Sequence, residues 1–395
     1  ESLAYESLAL GGDRRAGLLL PVGRSRRTAT LAADLADGGK QFNDAEDLWL
    51  DLKKFVATGD FTLGKPLNEF EQRFAELIGS RYAVGVNSGT DAIKLSLKVL
   101  GVGRDDEVIT AANTFVATVG AINELGAKIV FIDCDDSFCM NVNHLENYIT
   151  NKTKAIVPVH FTGYMTNMPK LLEISNRFKI PVIEDACQSI LGAIDDKNAG
   201  TWGKTGAFSL HPLKNINVWS DGGMIVTSNK DLYNKISLLR NHGLSNRNNV
   251  EMLGYNSRLD TIQAVVGNWL LPQAHEITNK RIQNAKYLDK QLSKIKQIKI
   301  PPRLKNYKIV YHLYSIFVEK RNQLLKYCLK RGIEAKIHYP VPIYLQKALA
   351  FRKYKKGDFP VTDRHAAQVI TFPCDQHLKK KQLNYIIKTV KNFYL

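Results

Sequence analysis

A single lysine follows an apolar segment in the stretch Gly206-Ala-Phe-Ser-Leu-His-Pro-Leu-Lys-Asn215. Soon after it come Ser220-Asp-Gly-Gly223 and a second apolar run, Met224-Ile-Val-Thr227. A lysine on a loop between two strands is most often a solvated charge. A desolvated lysine amine, by contrast, can attack a carbonyl carbon. The rest of the chain has to decide between these two interpretations of Lys214.

The chain before this stretch alternates between short apolar strands and amphipathic helices. Two helices, predicted over Asp44–Val56 and Leu67–Ile78, come first. The predicted strands that follow are Tyr82–Val86, Glu107–Thr110, Lys128–Asp133, Lys154–His160 and Pro181–Asp185. This alternation indicates an α/β fold with a doubly wound, mostly parallel sheet and helices on both faces. Ligands of such sheets bind beyond the carboxyl ends of the strands, so we expect the functional residues there.

The chain is long enough for more than one core, since single cores stop growing near ~250–300 residues. We interpret residues 1–30 as an extension of unclear role, because they show no clean periodicity. Residues 31–272 are predicted to form a large domain that includes the two first helices. Residues 273–395 are predicted to form a smaller α+β domain, with a strand over Tyr311–Val318.

The composition is basic, with 55 Lys and Arg, 38 Asp and Glu and a formal net charge of +17. Between positions 280 and 356, 21 residues are basic and 3 are acidic. This excess fits a solvated surface, and it also fits an anionic substrate that carries a phosphate or a nucleotide. The chain has neither zinc-finger spacing nor an RNP-type motif, so we expect no nucleic-acid partner.

The apolar segments are short, and none approaches the roughly 20 residues of a membrane-spanning helix. We therefore expect no membrane partner. The five cysteines are scattered and form no C-x-x-C pair. This pattern favours reduced thiols in a cytoplasmic protein, and we expect no metal site.

A glycine turn, Asn87-Ser-Gly-Thr-Asp91, follows the first predicted strand and precedes a helix predicted from Ala92 to Leu100. Such a turn leaves backbone N–H groups that can hold a phosphate at Gly89 and Thr90. The alternative is an ordinary turn with Thr90 or Asp91 as the N-cap. The chain has no G-x-G-x-x-G or Walker pattern, so a dinucleotide or ATP is not indicated.

Further polar and aromatic side chains follow the other strands. Asp185 and Gln188, in Glu184-Asp-Ala-Cys-Gln-Ser189, can cap a helix or hold the protonated nitrogen of a heteroaromatic ring. Phe115 can belong to the core or stack on a flat ring. Ser209 offers a hydroxyl close to Lys214. Together these residue types occur in the chain order of the large pyridoxal-phosphate aminotransferase fold, so we expect one site for that cofactor.

Seven motifs make residues 42–395 resemble the DegT/DnrJ/EryC1/StrS family of pyridoxal-phosphate-dependent sugar aminotransferases. The motifs are, in order, Phe61-Thr-Leu-Gly64, Asn87-Ser-Gly-Thr-Asp91, Asn113-Thr-Phe-Val-Ala-Thr118, Glu184-Asp-Ala-Cys-Gln-Ser189, Phe208-Ser-Leu-His-Pro-Leu-Lys-Asn215, Ser220-Asp-Gly-Gly223 and Gly254-Tyr-Asn-Ser-Arg-Leu259. The resemblance implies the type I aminotransferase fold.

The resemblance also implies a role for each matched position. Lys214 is expected to be the Schiff-base lysine and to carry a proton between substrate and cofactor. Asp185 is expected to pair with the pyridine nitrogen, and Gln188 to contact the phenolic side of the ring. The remaining expected cofactor contacts are the phosphate binders Gly89, Thr90 and Ser209 and the stacking residue Phe115. Asn256 is expected to reach the phosphate of the neighbouring subunit, which implies a homodimer with shared active sites.

The family resemblance implies amino transfer from an amino acid, with L-glutamate as the expected donor, to a nucleotide-linked keto-sugar. Such sugars serve the biosynthesis of cell-surface glycans or natural products. Ser220-Asp-Gly-Gly223 resembles members that aminate sugar C3, whereas C4 enzymes more often carry Glu-Gly-Gly. His338 and Tyr339 are candidates for substrate contact.

Three alternatives stay open at this point. Some members of the family have lost the lysine and are sugar dehydratases that use pyridoxamine phosphate, although the presence of Lys214 favours transamination. An aminotransferase for a keto-sugar without a nucleotide would have the same cofactor site. A non-catalytic protein that binds the cofactor, such as a regulator, is the third alternative.

Overall fold

The computed structural model describes residues 40–395, and the extension predicted over residues 1–30 lies outside the described residues. The helices are α1 (Glu46–Thr58), α2 (Lys65–Ile78), α3 (Gly89–Val99), α4 (Val116–Glu124), α5 (Met168–Arg177), α6 (Lys230–Leu239), α7 (Thr261–Leu270), α8 (Ala274–Leu292), α9 (Arg321–Leu329), α10 (Pro360–Gln368) and α11 (Lys380–Tyr394). The strands are β1 (Tyr82–Val86), β2 (Glu107–Ala111), β3 (Lys128–Ile132), β4 (Thr153–Val157), β5 (Ile183–Asp185), β6 (Ala193–Ile194), β7 (Lys197–Asn198), β8 (Thr205–Ser209), β9 (Gly223–Thr227), β10 (Leu244–Asn246), β11 (Asn249–Val250), β12 (Ile298–Lys299), β13 (Tyr307–Lys308), β14 (Tyr314–Val318) and β15 (Val369–Phe372).

A sheet of seven strands forms the centre of the described part of the chain. Its order is β1–β9–β8–β5–β4–β2–β3, and the backbone pairs Ile156–Val182 and Val159–Asp185 join β4 to β5. Within this sheet every strand except β9 runs in the same direction. β9 is antiparallel because the loop that carries Lys214 connects it directly to its neighbour β8, without a crossover helix. The mostly parallel sheet predicted from the sequence is confirmed.

Apolar layers cover both faces of this sheet. Successive strand residues point to opposite faces, so Ile109 joins one apolar cluster while Val108 joins the other. The first cluster also contains Phe74 of α2 and Leu171 of α5, and the second contains Ile93 of α3. The doubly wound arrangement is therefore confirmed, and it leaves the ends of the strands as the place for a ligand.

The last part of the chain builds a smaller sheet with its own core. β12, β14 and β15 are antiparallel neighbours, and residues of α8, α9 and α11 pack against them. One short helical turn, Leu271–Gln273, joins α7 to α8. Proline is tolerated at position 272 because a residue in the first turn of a helix has no intrahelical partner for its N–H. The division at residue 272 stays a prediction, because α8 contributes Ile277 to the large core and Leu288 to the small one.

A buried histidine of α10 predicts how stability depends on pH. The ring centroid of His365 lies 5.0 Å from that of Phe138 and 4.8 Å from that of Phe317. Neither ring nitrogen has a hydrogen-bond partner within residues 40–395, and the nearest carboxylate oxygen, on Asp136, is 3.9 Å from Nε2. Burial lowers the pKa of His365 from 6.5 to about 4, and the charge of Arg364 acts in the same direction.

The free energy of unfolding is expected to fall as the pH drops from 6.5 to about 4, because the unfolded chain takes up this proton first. The expected loss at His365 is roughly 3 kcal/mol. The free energy of unfolding obtained from urea curves should differ between pH 7 and pH 4. His365→Phe should remove the part of this difference that is due to His365. The matched control is His144→Phe, at an exposed position, which should leave the difference as it is. An equal pH dependence in the His365 variant and the unmodified protein would contradict this assignment.

Candidate active site

The candidate residues follow the carboxyl ends of parallel strands. β1, β2, β5 and β8 run in the same direction, so their carboxyl ends share one edge of the sheet. The candidates at this edge are Gly89 and Thr90 after β1, Phe115 after β2, Asp185 and Gln188 at and after β5, and Ser209 and Lys214 at and after β8.

The turn after β1 differs in one respect from the sequence prediction. α3 begins at Gly89 rather than at Ala92, and its N-cap is Ser88, whose Oγ accepts from the N–H of Asp91 at 3.1 Å. Thr90 and Asp91 are therefore not caps, because both lie inside the first helical turn. The N–H groups of Gly89 and Thr90 have no partner within the helix, and they face the site with the positive end of the helix dipole.

Two glycines allow other chain segments to approach this turn closely. A Cβ atom on Gly89 would lie 2.8 Å from Cβ of Ser209 and 2.9 Å from Sγ of Cys187. A Cβ atom on Gly223 would lie 2.3 Å from the carbonyl oxygen of Ser88. The second glycine of Ser220-Asp-Gly-Gly223 is therefore required by packing, and the Ser209 hydroxyl lies beside the free N–H groups.

Asp185 is buried, and its carboxylate has two donors. Thr118 Oγ1 donates to Oδ2 at 2.7 Å, and the N–H of Cys187 donates to Oδ1 at 3.2 Å. Thr118 is in turn 2.7 Å from the hydroxyl of Thr114. The sequence motif contained Thr118, but its spacing to Asp185 along the chain gave no sign of this contact. The carboxylate is held in one orientation at the strand end.

Glu184, the residue before Asp185, fixes the position of the same strand, β5. Glu184 is fully buried, and its carboxylate lies 2.9 Å from Nε2 of His160 and accepts from the N–H groups of Gly200, Trp202 and Gly203. The N–H of His160 donates to the carbonyl oxygen of Asp185 at 3.0 Å. These donors offset the free-energy cost of burying the Glu184 carboxylate, and the contacts connect β5 to both neighbouring segments.

Gln188 is oriented by the backbone of the segment after β4. The N–H of Thr162 donates to its Oε1 at 2.7 Å, so the amide nitrogen is left as the donor toward a ligand. Phe115 lies nearby, with half of its surface exposed, and its ring centroid is 6.0 Å from that of Tyr339. Tyr339 also contacts Phe161 at 5.8 Å. This predicted substrate residue therefore lies beside Phe115, and burial and then the charge of Asp185 raise the pKa of its hydroxyl.

Lys214 is held by a tight turn in the loop after β8, at the same edge of the sheet. Its N–H donates to the carbonyl oxygen of His211 at 2.8 Å, and the N–H of Leu213 donates to Nδ1 of His211 at 3.2 Å. Burial lowers the pKa of the Lys214 amine, while the charges of Cys187 and Asp185 act in the opposite direction. A desolvated amine beside a carboxylate supports carbonyl capture over the solvated charge considered from sequence.

Three imidazoles lie within range of the Lys214 charge. They belong to His211, His312 and His338, and each keeps some accessible surface. Burial lowers the pKa of all three, to about 4 for His338, and the Lys214 charge contributes to each shift. Half-buried groups within range of one charge belong to one site, here called the cleft. The predicted residue His338 therefore reaches this site.

His312 was missed by the sequence prediction. It falls inside the strand predicted over Tyr311–Val318, but β14 begins only at Tyr314. Tyr311 has a φ of 49°, and the N–H of Leu313 donates to the carbonyl oxygen of Thr162, so the chain crosses the site before it joins the sheet. Apolar periodicity carries no signal of such a crossing.

Asn256 differs from the other candidates in its surroundings. Its side chain is exposed, and its backbone pairs with that of Asn241. The next residue, Ser257, donates to Oδ2 of Asp91 at 2.5 Å and so anchors this segment to the first turn of α3. Within residues 40–395 no hydrogen bond joins Asn256 to the residues of the cleft.

These residues fit a flat ring that carries a phosphate. The cradle at Gly89, which a Cβ atom would fill, has free N–H groups and a neighbouring hydroxyl for an anion. Asp185 offers a buried, oriented carboxylate, and Phe115 offers an exposed ring face. Within the described part of the chain, no group of three or more potential metal ligands and no helix suited to cross a membrane is found.

Comparison with known proteins identifies the family of this chain. Residues 43–391 match the model of the DegT/DnrJ/EryC1/StrS aminotransferase family. The chain is 34% identical to a pleiotropic regulatory protein of Geobacillus stearothermophilus, over 87% of this chain and 93% of that protein. It is 33% identical to the UDP-N-acetyl-3-dehydro-alpha-D-glucosamine 3-aminotransferase of Acidithiobacillus ferrooxidans, over 88% of this chain and 93% of that protein.

A solved structure shows the same fold over nearly the whole chain. DesV of S. venezuelae superposes with a TM-score of 0.90 at 31% identity, covering 92% of this chain and 98% of that one. Solved proteins of this fold hold pyridoxal phosphate or its amine form. The chain belongs to the DegT/DnrJ/EryC1/StrS aminotransferase family, whose members depend on pyridoxal phosphate.

Proposed function

We propose that this enzyme transfers an amino group from an amino acid, L-glutamate, to the C3 keto group of a nucleotide-linked keto-sugar. The observation that carries the proposal is the meeting of the desolvated Lys214, the buried Asp185 and the phosphate cradle at Gly89. The Acidithiobacillus relative, by its name, aminates C3 of a UDP-linked 3-keto-sugar, which supports C3 over C4. The 21 basic residues between positions 280 and 356 are suited to an anionic substrate.

Each side chain has a separate task in the proposed reaction. Pyridoxal phosphate, when bound, supplies the carbonyl that takes and returns the amino group and a ring that accepts electrons. The N–H groups of Gly89 and Thr90 and the hydroxyl of Ser209 would hold its phosphate. Asp185, oriented by Thr118, would keep a proton on the ring nitrogen.

The other residues position the ring and move the proton. The amide nitrogen of Gln188 would donate to the phenolic oxygen, and Phe115 would lie against the ring face. The Lys214 amine would capture the cofactor and, once released, carry the proton to and from the substrate carbon. His338 and Tyr339 would contact the sugar from the other wall of the cleft.

We also propose that the enzyme is a homodimer in which Asn256 completes the partner's phosphate site. The exposed Asn256 supports this, and so does an exposed aromatic surface beside the Lys214 loop. In that surface the Trp219 ring lies 5.4 Å from those of Trp49 and Phe42, and Leu213 is exposed as well. Light scattering should give twice the mass of the 44.4 kDa chain. The five free thiols fit our proposal of a cytoplasmic protein.

The test is a screen of dTDP-, UDP- and GDP-linked 3-keto and 4-keto sugars with glutamate, read by mass spectrometry. We expect an aminated product from a 3-keto sugar, with stoichiometric 2-oxoglutarate. Amination of 4-keto sugars alone would overturn the C3 assignment. A deoxygenated product would identify a dehydratase instead.

A second candidate function is regulation, which the name of the Geobacillus relative favours. A regulator would bind nucleic acid tightly and in a salt-dependent manner. Such binding would select this candidate over the aminotransferase if the protein also failed to convert pyridoxal phosphate to its amine form with any amino acid.

A further inference from the structure

Two buried polar atoms beside the Lys214 loop lack hydrogen-bond partners within residues 40–395. They are Nδ1 of His312 and Oδ1 of Asn215. Buried polar atoms nearly always have a partner, so two unpartnered atoms next to one reactive residue require an explanation. Neither belongs to the cofactor contacts derived above.

The two residues are held on segments that are bonded to each other. Nδ2 of Asn215 donates to the carbonyl oxygen of Val310 at 3.4 Å. The N–H of Val310 donates to the carbonyl oxygen of Gly163 at 3.1 Å. The loop that carries Lys214 and the segment that carries His312 are therefore one connected unit.

The His312 segment has no room to move away. A Cβ atom on Gly163 would lie 2.8 Å from the N atom of Tyr311 and 3.1 Å from that of His312, so the backbones are in close contact. Nη1 of the buried Arg281 donates to the carbonyl oxygen of Tyr311 at 3.1 Å. The backbone position of His312 is thus fixed by close contacts.

The charge distribution around His312 decides what it can bind. Burial, followed by the charges of Lys214 and Arg281, holds the pKa of its imidazole well below the usual range. The ring is therefore neutral and has a lone pair for a donor. Oδ1 of Asn215 is an acceptor too, so the pair is suited to a cationic donor. Lys214 is such a donor, because it precedes Asn215 in the chain and its charge acts on the His312 imidazole more strongly than any other.

Lys214 needs acceptors at one stage of the proposed reaction. A lysine that carries protons alternates between a neutral amine and an ammonium, and the ammonium has three N–H donors and no acceptor. A buried ammonium is costly unless it is hydrogen-bonded. We propose that Lys214, when it carries a proton and is not bonded to the cofactor, turns its ammonium toward Nδ1 of His312 and Oδ1 of Asn215, the two atoms without a partner within residues 40–395.

His312 is then a positioning residue that acts through Lys214. The inference rests on the proposed role of Lys214 as the lysine that captures the cofactor, but not on the identity of the sugar. It predicts that removal of the acceptor makes the ammonium less stable. The other titratable or charged groups around Lys214 and His312 stay in place in each His312 variant, and they are Asp185 at the end of β5, Cys187 after it, His211, Arg281 on α8 and His338.

The experiment measures how fast the full-length apoprotein captures pyridoxal phosphate, by its visible absorbance, as a function of pH. Only the neutral amine attacks the aldehyde, so the midpoint of the profile reports the pKa of Lys214. His312→Leu should lower this midpoint by about one pH unit, which makes capture about tenfold faster well below the midpoint. His312→Asn, which keeps an acceptor near the position of Nδ1, should retain the original midpoint.

Two further variants keep the test decisive. His312→Gln places its amide near the position of Nε2 instead, so it should behave like His312→Leu, and it replaces that variant if the leucine protein does not fold. His144→Leu is the matched control, because His144 is exposed on the segment between β3 and β4, and its midpoint should not move. Equal shifts in the Asn and Gln variants, or no shift in any His312 variant, would overturn the proposal. Failure of the unmodified protein to capture the cofactor would instead refute the role of Lys214.

Discussion

Lys214→Ala is expected to reduce amino transfer by a factor of about 10³–10⁴ or more, which is the largest effect of any single substitution in this chain. The change removes the amine that captures the cofactor and, with it, the group that carries the proton, and positioned proton carriers alone contribute ~10²–10⁴-fold. The readout is the number of 2-oxoglutarate molecules that each protein molecule produces from glutamate and a keto-sugar acceptor.

The matched control for this substitution is Lys204→Ala. Lys204 is exposed and precedes β8, at the opposite end of the strand from Lys214. The control should keep full activity, because its amine is not desolvated by the cleft. Repeated turnover by the Lys214→Ala protein, at more than a few per cent of the rate of the unmodified protein, would refute the role assigned to this lysine.

Asp185→Asn is expected to reduce kcat by roughly 10²–10³-fold while the cofactor stays bound. An opposite charge raises the pKa of a cationic partner by roughly 1–3 units, and the carboxamide offers no charge to keep the ring nitrogen protonated. Asparagine has the same shape and can keep the contacts of Asp185 with Thr118 and the N–H of Cys187. Rates of the glutamate half-reaction in stopped flow, together with the visible absorbance of the bound cofactor, measure the two parts of the prediction.

Thr118→Val separates the charge of Asp185 from its orientation. This variant removes the 2.7 Å hydrogen bond to Oδ2 but leaves the carboxylate in place. A hydrogen bond to a charged group contributes about 1.5–3 kcal/mol, so the loss of rate should be roughly 10-fold to 10²-fold. If Thr118→Val lost as much activity as Asp185→Asn, orientation rather than charge would be the function of the carboxylate.

The sequence was most informative where a local rule applies. Alternating strands and helices predicted the parallel sheet, because apolar periodicity follows directly from which side of an element is buried. The rule that ligands bind at the carboxyl ends of strands then predicted the edge where Gly89, Asp185 and Lys214 now lie. The order of motifs identified the family for the same reason, since each motif is a short local segment of the chain.

The sequence was least informative where a residue depends on a segment far away in the chain. Thr118 lies 67 positions from the carboxylate that it orients, and no spacing rule covers that distance. The start of α3 was misplaced because Ser88 competes with Thr90 and Asp91 for the cap, and only the packing of Gly89 against Ser209 selects it.

By itself, the sequence determined that this chain has the doubly wound fold and the side chains of an aminotransferase, with Lys214 as the candidate nucleophile. It left open whether Lys214 is solvated, because desolvation depends on what surrounds an amine in three dimensions. Only the tertiary structure decided that point, since it encloses the Lys214 amine near Asp185, Cys187 and three neutral imidazoles. It also revealed His312, because the crossing of a chain segment over a cleft is set by contacts between distant residues and by no pattern within the segment.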